Sequence, residues 1–167
     1  MPKGSTQKNM IKFFSATQQI TLHKNEPSKL SQSGPLLYIN LSDGLDKSQR
    51  LKNLRPYITE TSEWFISYGP DALLWQYTAE NCFLDQFDFA IPDENHFSTR
   101  SFDDEESIDK ALHTLLALGS AAHDNQACEH FNIICASCSD AFITQITSYL
   151  SDHKFQIEID SKEHISP

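Results

Sequence analysis

The stretch Leu36-Leu37-Tyr38-Ile39-Asn40-Leu41-Ser42-Asp43-Gly44 decides how this chain is read: an apolar run interrupted only by Asn40, then a polar turn closed by glycine. A short apolar run bounded by turn residues fits a strand buried on both faces, the kind found in parallel sheets. Phe131 to Ala136 (FNIICA) repeats the pattern and ends in Ser137, Cys138, Ser139 and Asp140. Between and after these runs the period changes to that of helices. Leu51, Leu54, Tyr57 and Ile58 predict a helix that Pro56 kinks or divides, with Phe65 to Tyr68 closing it before Gly69 and Pro70. Ser107 to His123 carries Ile108, Ala111, Leu112, Leu115, Leu116, Leu118 and Ala122 on one broad face. Ser139 or Asp140 is placed to cap a helix over Ala141 to Leu150, and Phe155 to Ile159 reads as a last strand. Ala72 to Tyr77 (ALLWQY) and Phe83 to Ile91 (FLDQFDFAI) are expected to be strands. The resulting order, β-α-β-β-α-β-α-β, predicts a three-layer, Rossmann-like α/β domain with a mainly parallel sheet.

Working outward, 167 residues suit one domain with an appendage, and 39% hydrophobic residues with 11 Phe, 5 Tyr and 2 Trp are enough for a core. Residues 1 to 34 hold five Lys and one Glu, a formal charge of +4, whereas 35 to 167 hold 8 basic and 22 acidic residues, or -14. The expected division is a flexible basic arm (1–34), an α/β domain (35–160) and a disordered tail (161–167). A net charge of -10 argues against a duplex-binding surface over the whole protein, so nucleic acid is to be met only locally. No apolar run approaches the roughly 20 residues that cross a bilayer, and the N-terminus lacks a signal-peptide pattern. No membrane association is expected. Four Cys are too few for a disulfide scaffold, so the expectation is a soluble intracellular protein, cytoplasmic or, in a eukaryote, nuclear.

In an open parallel sheet, ligands bind beyond the carboxyl ends of the strands. Asn40, Ser42 and Asp43 follow the first strand, Ser137 to Asp140 follow the FNIICA strand, and Asp104, Glu105, Glu106 and Asp109 stand at the start of the long helix. Such carboxylates could hold Mg²⁺ or Mn²⁺. The same residues also make good helix caps and suit helix dipoles.

The pieces YINLSDG, SIDKALHTLLALG and IICASCSDAFITQI, followed by FQIEI, together resemble the PIN-like (NYN-type) nuclease domains over roughly Leu36 to Ile159. The resemblance implies a metal-dependent phosphodiesterase ancestry. It implies Asp43, Asp109 and Asp140 as catalytic metal ligands for Mg or Mn, with Asp104 or Glu106 in support. The family's first-strand Asp falls on Asn40, and Ser139 stands where a late Asp is expected, so the resemblance also implies a partly degraded site. In the arm, Gln7, Met10, Phe13 and Phe14 spell Q-x-x-M-x-x-F-F, which is similar to the sliding-clamp-binding peptide of replication and repair proteins. A short helical turn would carry Met10 and the two Phe into an apolar pocket of the clamp. Gln19 to Leu22 resembles the looser bacterial version. Docking of this amphipathic segment on its own domain, or on another copy, is the alternative. Two function classes follow: a nuclease-like enzyme of nucleic-acid metabolism, and a non-catalytic adaptor that recruits a partner through the arm. Cys135 and Cys138 form a CxxC near Cys128, His123 and His130, yet Cys135 lies in an apolar strand and no second ligand pair supplies zinc spacing.

Overall fold

Both faces of Leu36–Asn40 are covered, and all five residues are buried. A strand in that position needs a neighbour on each side and a helical layer above and below. The computed structural model supplies them. It describes residues 10–14, 19–30, 34–93, 95–120, 130–153 and 156–160, with 10–14, 119–120 and 156–160 as backbone. The strands are Met10–Phe14 (β1), Gln19–His23 (β2), Leu36–Asn40 (β3), Trp64–Tyr68 (β4), Ser98–Phe102 (β5), His130–Ser137 (β6) and Gln156–Asp160 (β7). Their order in the sheet is β5-β4-β3-β6-β2-β1-β7. From β5 to β2 the five strands are all parallel, and β1 then pairs antiparallel with both β2 and β7.

Four helices, Lys47–Leu54 (α1), Ala72–Asp85 (α2), Ile108–Ser120 (α3) and Asp140–Asp152 (α4), cover this sheet. Leu36, Tyr38, Phe65 and Ile134 pack against Leu54, Trp75, Ala79, Cys82 and Phe83 of α1 and α2. The alternate residues Leu37, Ile39, Ile66, Ile133 and Cys135 pack against Ile108, Leu112, Leu115, Ile143, Ile146 and Leu150 of α3 and α4. Successive strand residues point to opposite faces, so one apolar run feeds two cores. Each large side chain removed from water adds about 1.5–3 kcal/mol. Trp75, 2% exposed, sits with its ring centroid 4.9 Å from that of Tyr38.

Several expected elements change identity. Phe65 to Tyr68 does not close the first helix, which stops at Leu54 ahead of Pro56; it forms β4. Nor are ALLWQY and the first part of FLDQFDFAI strands. They belong to α2, whose buried residues Ala72, Trp75, Thr78, Ala79, Cys82 and Phe83 recur at helical spacing across both windows. The segment expected to be a flexible arm (1–34) contains β2, with Ile20 and Leu22 fully buried between β6 and β1. The sheet therefore begins before residue 35. The proposed C-terminal tail, 161–167, lies outside the described residues.

Candidate functional site

After β3 the chain passes through α1 towards β4, whereas after β6 it enters α4 on the other face. This divergence opens a crevice at the carboxyl ends of β3 and β6, the position where open α/β sheets bind ligands. The two strand ends are stitched together there. Asn40 is registered with Ser137, Leu41 N–H donates to the Ser137 carbonyl at 3.1 Å, and the Ser42 hydroxyl donates to that of Ser137 at 2.9 Å.

Asn40 is 4% exposed, and its Oδ1 accepts the Ser42 N–H at 2.9 Å, a local turn that asparagine and aspartate favour. Gly44, at φ +83°, donates its N–H to Asp71 Oδ2 at 3.0 Å. Gly69, at φ +141°, lies so close to the end of β3 that a Cβ would stand 1.9 Å from the Asn40 carbonyl oxygen. Its N–H donates to the Phe102 carbonyl at 3.1 Å, which ties the ends of β4 and β5. In the sequence Gly69 is expected only as a turn residue after Tyr68, and Asp71 has no expected role. Their signal is the turn Gly69-Pro70-Asp71 directly after an aromatic-rich run.

The expected ligands occupy this edge separately. Asp43, Asp109 and Asp140 are all exposed. Ser139 caps α4 by accepting the Phe142 N–H at 3.2 Å, and Asp140 lies in the first turn behind it. Asp109 stands in the first turn of α3 and, after burial, adds to the upward push on the Tyr149 hydroxyl pKa. Glu106 pairs with Lys110 at 3.2 Å, and its carbonyl accepts the Tyr68 hydroxyl at 2.6 Å. Burial raises the Tyr68 pKa, and the nearby Asp104, Asp103 and Glu106 raise it further. Among the described residues, no three His, Cys, Asp or Glu side chains come together as a group able to hold a metal ion. Asp43, Asp109 and Asp140 are thus not gathered into one such group in the described structure.

Cys135 is 1% exposed, and its thiol pKa is raised well above the ordinary value by a hydrogen bond with Cys138 and by burial. That favours a buried neutral thiol over a reactive one. Cys128 lies outside the described residues. At the arm, Met10, Phe13 and Phe14 belong to β1, registered with His23, Ile20 and Gln19 on one side and Asp160, Ile157 and Gln156 on the other. In the free chain this segment is a strand whose backbone is bonded to β2 and β7, whereas the helical turn is expected only on the clamp. Gln7 lies outside the described residues.

What the crevice offers chemically is two hydroxyls, a committed amide and dispersed carboxylates. Among the described residues, no hydrogen bond joins Ser42 or Ser137 to a histidine or carboxylate that would activate it. No helix among them is long and apolar enough to cross a membrane. Comparison with protein-family models, with curated proteins and with solved structures finds no match to this chain.

Proposed function

We propose that the chain is a non-catalytic interaction module of nucleic-acid metabolism. In this reading it is a nuclease-like α/β domain whose metal site has decayed, and its segment Gln7 to Phe14 recruits a protein partner such as a sliding clamp. The observation that carries the reading is Asn40. It occupies the buried strand end where the resembled family needs a carboxylate, and its side-chain oxygen is already engaged by the Ser42 N–H. An amide is a weaker ligand than a carboxylate for a hard divalent cation, and this one is turned to its own loop. The test is a thermal-shift titration of the full chain with Mg²⁺ and Mn²⁺ at constant ionic strength, beside cleavage assays on single- and double-stranded RNA and DNA. The expected result is no saturable stabilisation and no cleavage. Metal-dependent cleavage lost in Asp109→Ala would overturn the reading.

A second reading, metal-dependent phosphodiester hydrolysis through Asp43, Asp109 and Asp140 with Mg or Mn, has one observation in its favour. All three carboxylates are exposed at the carboxyl edge of the parallel sheet, following β3, β5 and β6. The same titration separates the two, because a shared site gains stability from the cation whereas dispersed acids respond only to ionic strength.

A further inference from the structure

The four exposed large hydrophobic side chains among the described residues, Leu73, Leu74, Tyr77 and Phe89, lie on α2 or just beyond it. The apolar residues of α2 extend beyond its buried side to Leu73, Leu74 and Tyr77, and no element among the described residues covers these three. Leu74, Asn81 and Asp85 recur at seven and four residues, so they follow one line along the helix that runs towards Phe89. That line borders a cleft of about 190 Å³ between α1 and α2, lined by Lys47, Leu51, Arg55, Asp85 and Phe89 among others. The cleft is smaller than the roughly 300–1,000 Å³ of small-molecule sites, and it has room for a single large side chain.

Phe89 is held outward by the backbone. The α2 terminus closes with Phe89 N–H donating to the Leu84 carbonyl at 2.9 Å, and Asp88 and Phe89 both take left-handed conformations, at φ 49° and 64°. Helices usually end this way with glycine, and a bulky aromatic residue there is strained. Its neighbours Phe87 and Phe97 pack on Phe83, with ring centroids 5.2 and 4.6 Å away, while Phe89 stays 65% exposed.

Charge supplies the second, independent observation. Residues 35 to 167 carry only eight basic residues, and four of them, Lys47, Arg50, Lys52 and Arg55, fall within nine positions on α1 and its cap. Arg50 is used internally, bonding Thr78 and the Leu45 carbonyl. Lys47 and Arg55 are exposed, and among the described residues neither is in an ion pair. They stand eight residues apart, about 12 Å along the helix, on either side of Leu51.

We infer that the α1–α2 cleft is a docking site for an acidic linear peptide of a partner protein. Its apolar or aromatic anchor enters between Leu51 and Phe89, and two carboxylates, three or four extended residues apart, meet Lys47 and Arg55. The exposed Leu74 and Tyr77 extend the apolar track. A nucleic acid is the poorer fit, because Leu51, Phe89 and the adjoining Leu74 form an apolar track that a sugar–phosphate backbone cannot fill. The site is independent of the crevice at the strand ends and of β1.

The test is selection of displayed random twelve-residue peptides on the immobilised full chain, followed by fluorescence anisotropy of the enriched sequences. Peptides with Asp or Glu flanking Leu, Phe or Trp are expected to enrich and to bind more weakly as salt rises. Their affinity should fall at least tenfold in Lys47→Glu/Arg55→Glu and in Phe89→Ala, but not in Lys52→Glu, which reverses a charge outside the cleft. Circular dichroism and Tm of each variant guard against loss of fold. The inference is overturned by no enrichment, by enrichment of sequences without acids, by affinity unchanged in the cleft variants, or by binding of an oligothymidylate that depends on Lys47 and Arg55. A dimer in light scattering that Tyr77→Ser dissolves also overturns it, because a second copy then covers this face.

Discussion

The Tyr38 hydroxyl donates to the Glu26 carboxylate across 3.1 Å, linking the middle of β3 to the segment that leads into it. Close by, the Tyr57 hydroxyl donates to the Pro27 carbonyl. Two tyrosines of one core layer thus hold a stretch whose composition resembles a free linker. Burial raises both phenol pKa values, and the Glu26 charge adds to the rise in each.

Glu26 itself titrates above its ordinary value of 4.5, because burial outweighs the Tyr38 hydrogen bond. A carboxyl whose folded pKa is raised disfavours folding once it is charged. Its contribution is neutral below the unfolded pKa and becomes unfavourable as pH climbs through the folded one. Glu26→Gln keeps an oxygen acceptor for Tyr38 and removes the charge. We expect Tm at pH 7 to rise by about 1–2 °C, the response of a domain this size to a fraction of a kcal/mol. The gain should vanish near pH 4. A constant difference between the two pH values would show that the carboxylate is not penalised by burial.

Gly69 and Gly44 both have positive φ but differ in what surrounds them. A methyl group at Gly69 meets the Asn40 carbonyl oxygen at 1.9 Å, whereas one at Gly44 meets nothing within 4 Å. Gly44→Ala should therefore cost only backbone strain, about 1 kcal/mol. Gly69→Ala adds a backbone clash that parts the ends of β3 and β4, and we expect a loss of about 3 kcal/mol or more. Urea denaturation of the two variants compares them directly. Equal losses would mean that the β3–β4 approach is not tight.

Legibility followed burial. LLYIN and FNIICA were readable because every residue of a strand covered on both faces must be apolar or hydrogen-bonded. The Ser139 cap was readable because its mechanism is local. STRSF, forming β5 at the sheet edge, was not, since its residues alternate between exposed and half-buried and carry little apolar signal. QITLH was not, because Ile20 and Leu22 are flanked by polar residues and gain much of their burial from distant elements such as β6, more than a hundred residues away. ALLWQY misled for the opposite reason. Its exposed Leu73, Leu74 and Tyr77 fill the positions that would otherwise mark a helix as amphipathic. The crevice could be expected from strand ends alone; the commitment of Asn40 to Ser42 could not.

A peptide of residues 4 to 18 and the full chain should differ in affinity for a sliding clamp. In the chain, Met10 to Phe14 are hydrogen-bonded on both edges, so binding as a helical turn requires β1 to leave the sheet. We expect micromolar binding by the peptide and about tenfold or weaker apparent binding by the chain, reduced by the fraction of molecules with β1 released. Phe13→Ala with Phe14→Ala should abolish the peptide's binding. Equal affinities would show that β1 does not compete, and no binding by either the eukaryotic or the bacterial clamp would end the clamp reading.

Asn40→Asp tests the ancestry of the crevice. The substitution nearly preserves volume and leaves an oxygen to accept the Ser42 N–H, so the turn at the end of β3 should survive. At 4% exposure the new charge is desolvated, and without metal we expect a loss of about 1–3 kcal/mol. If the strand end descends from a metal site, the restored carboxylate should recruit Asp43 or Asp140, and Mn²⁺ should stabilise the variant saturably. The gain would be roughly 1.4 kcal/mol at ten times its dissociation constant. The unaltered chain and Asn40→Ala should show no such gain, since neither adds a ligand. Saturable stabilisation confined to Asn40→Asp supports a decayed nuclease site. The same response in all three proteins would move the cation to carboxylates that do not need position 40, and so towards the enzymatic reading. A variant that is merely destabilised, with no response to Mn²⁺, would remove the nuclease ancestry from the proposal and leave an interaction module whose polar crevice has only a structural origin.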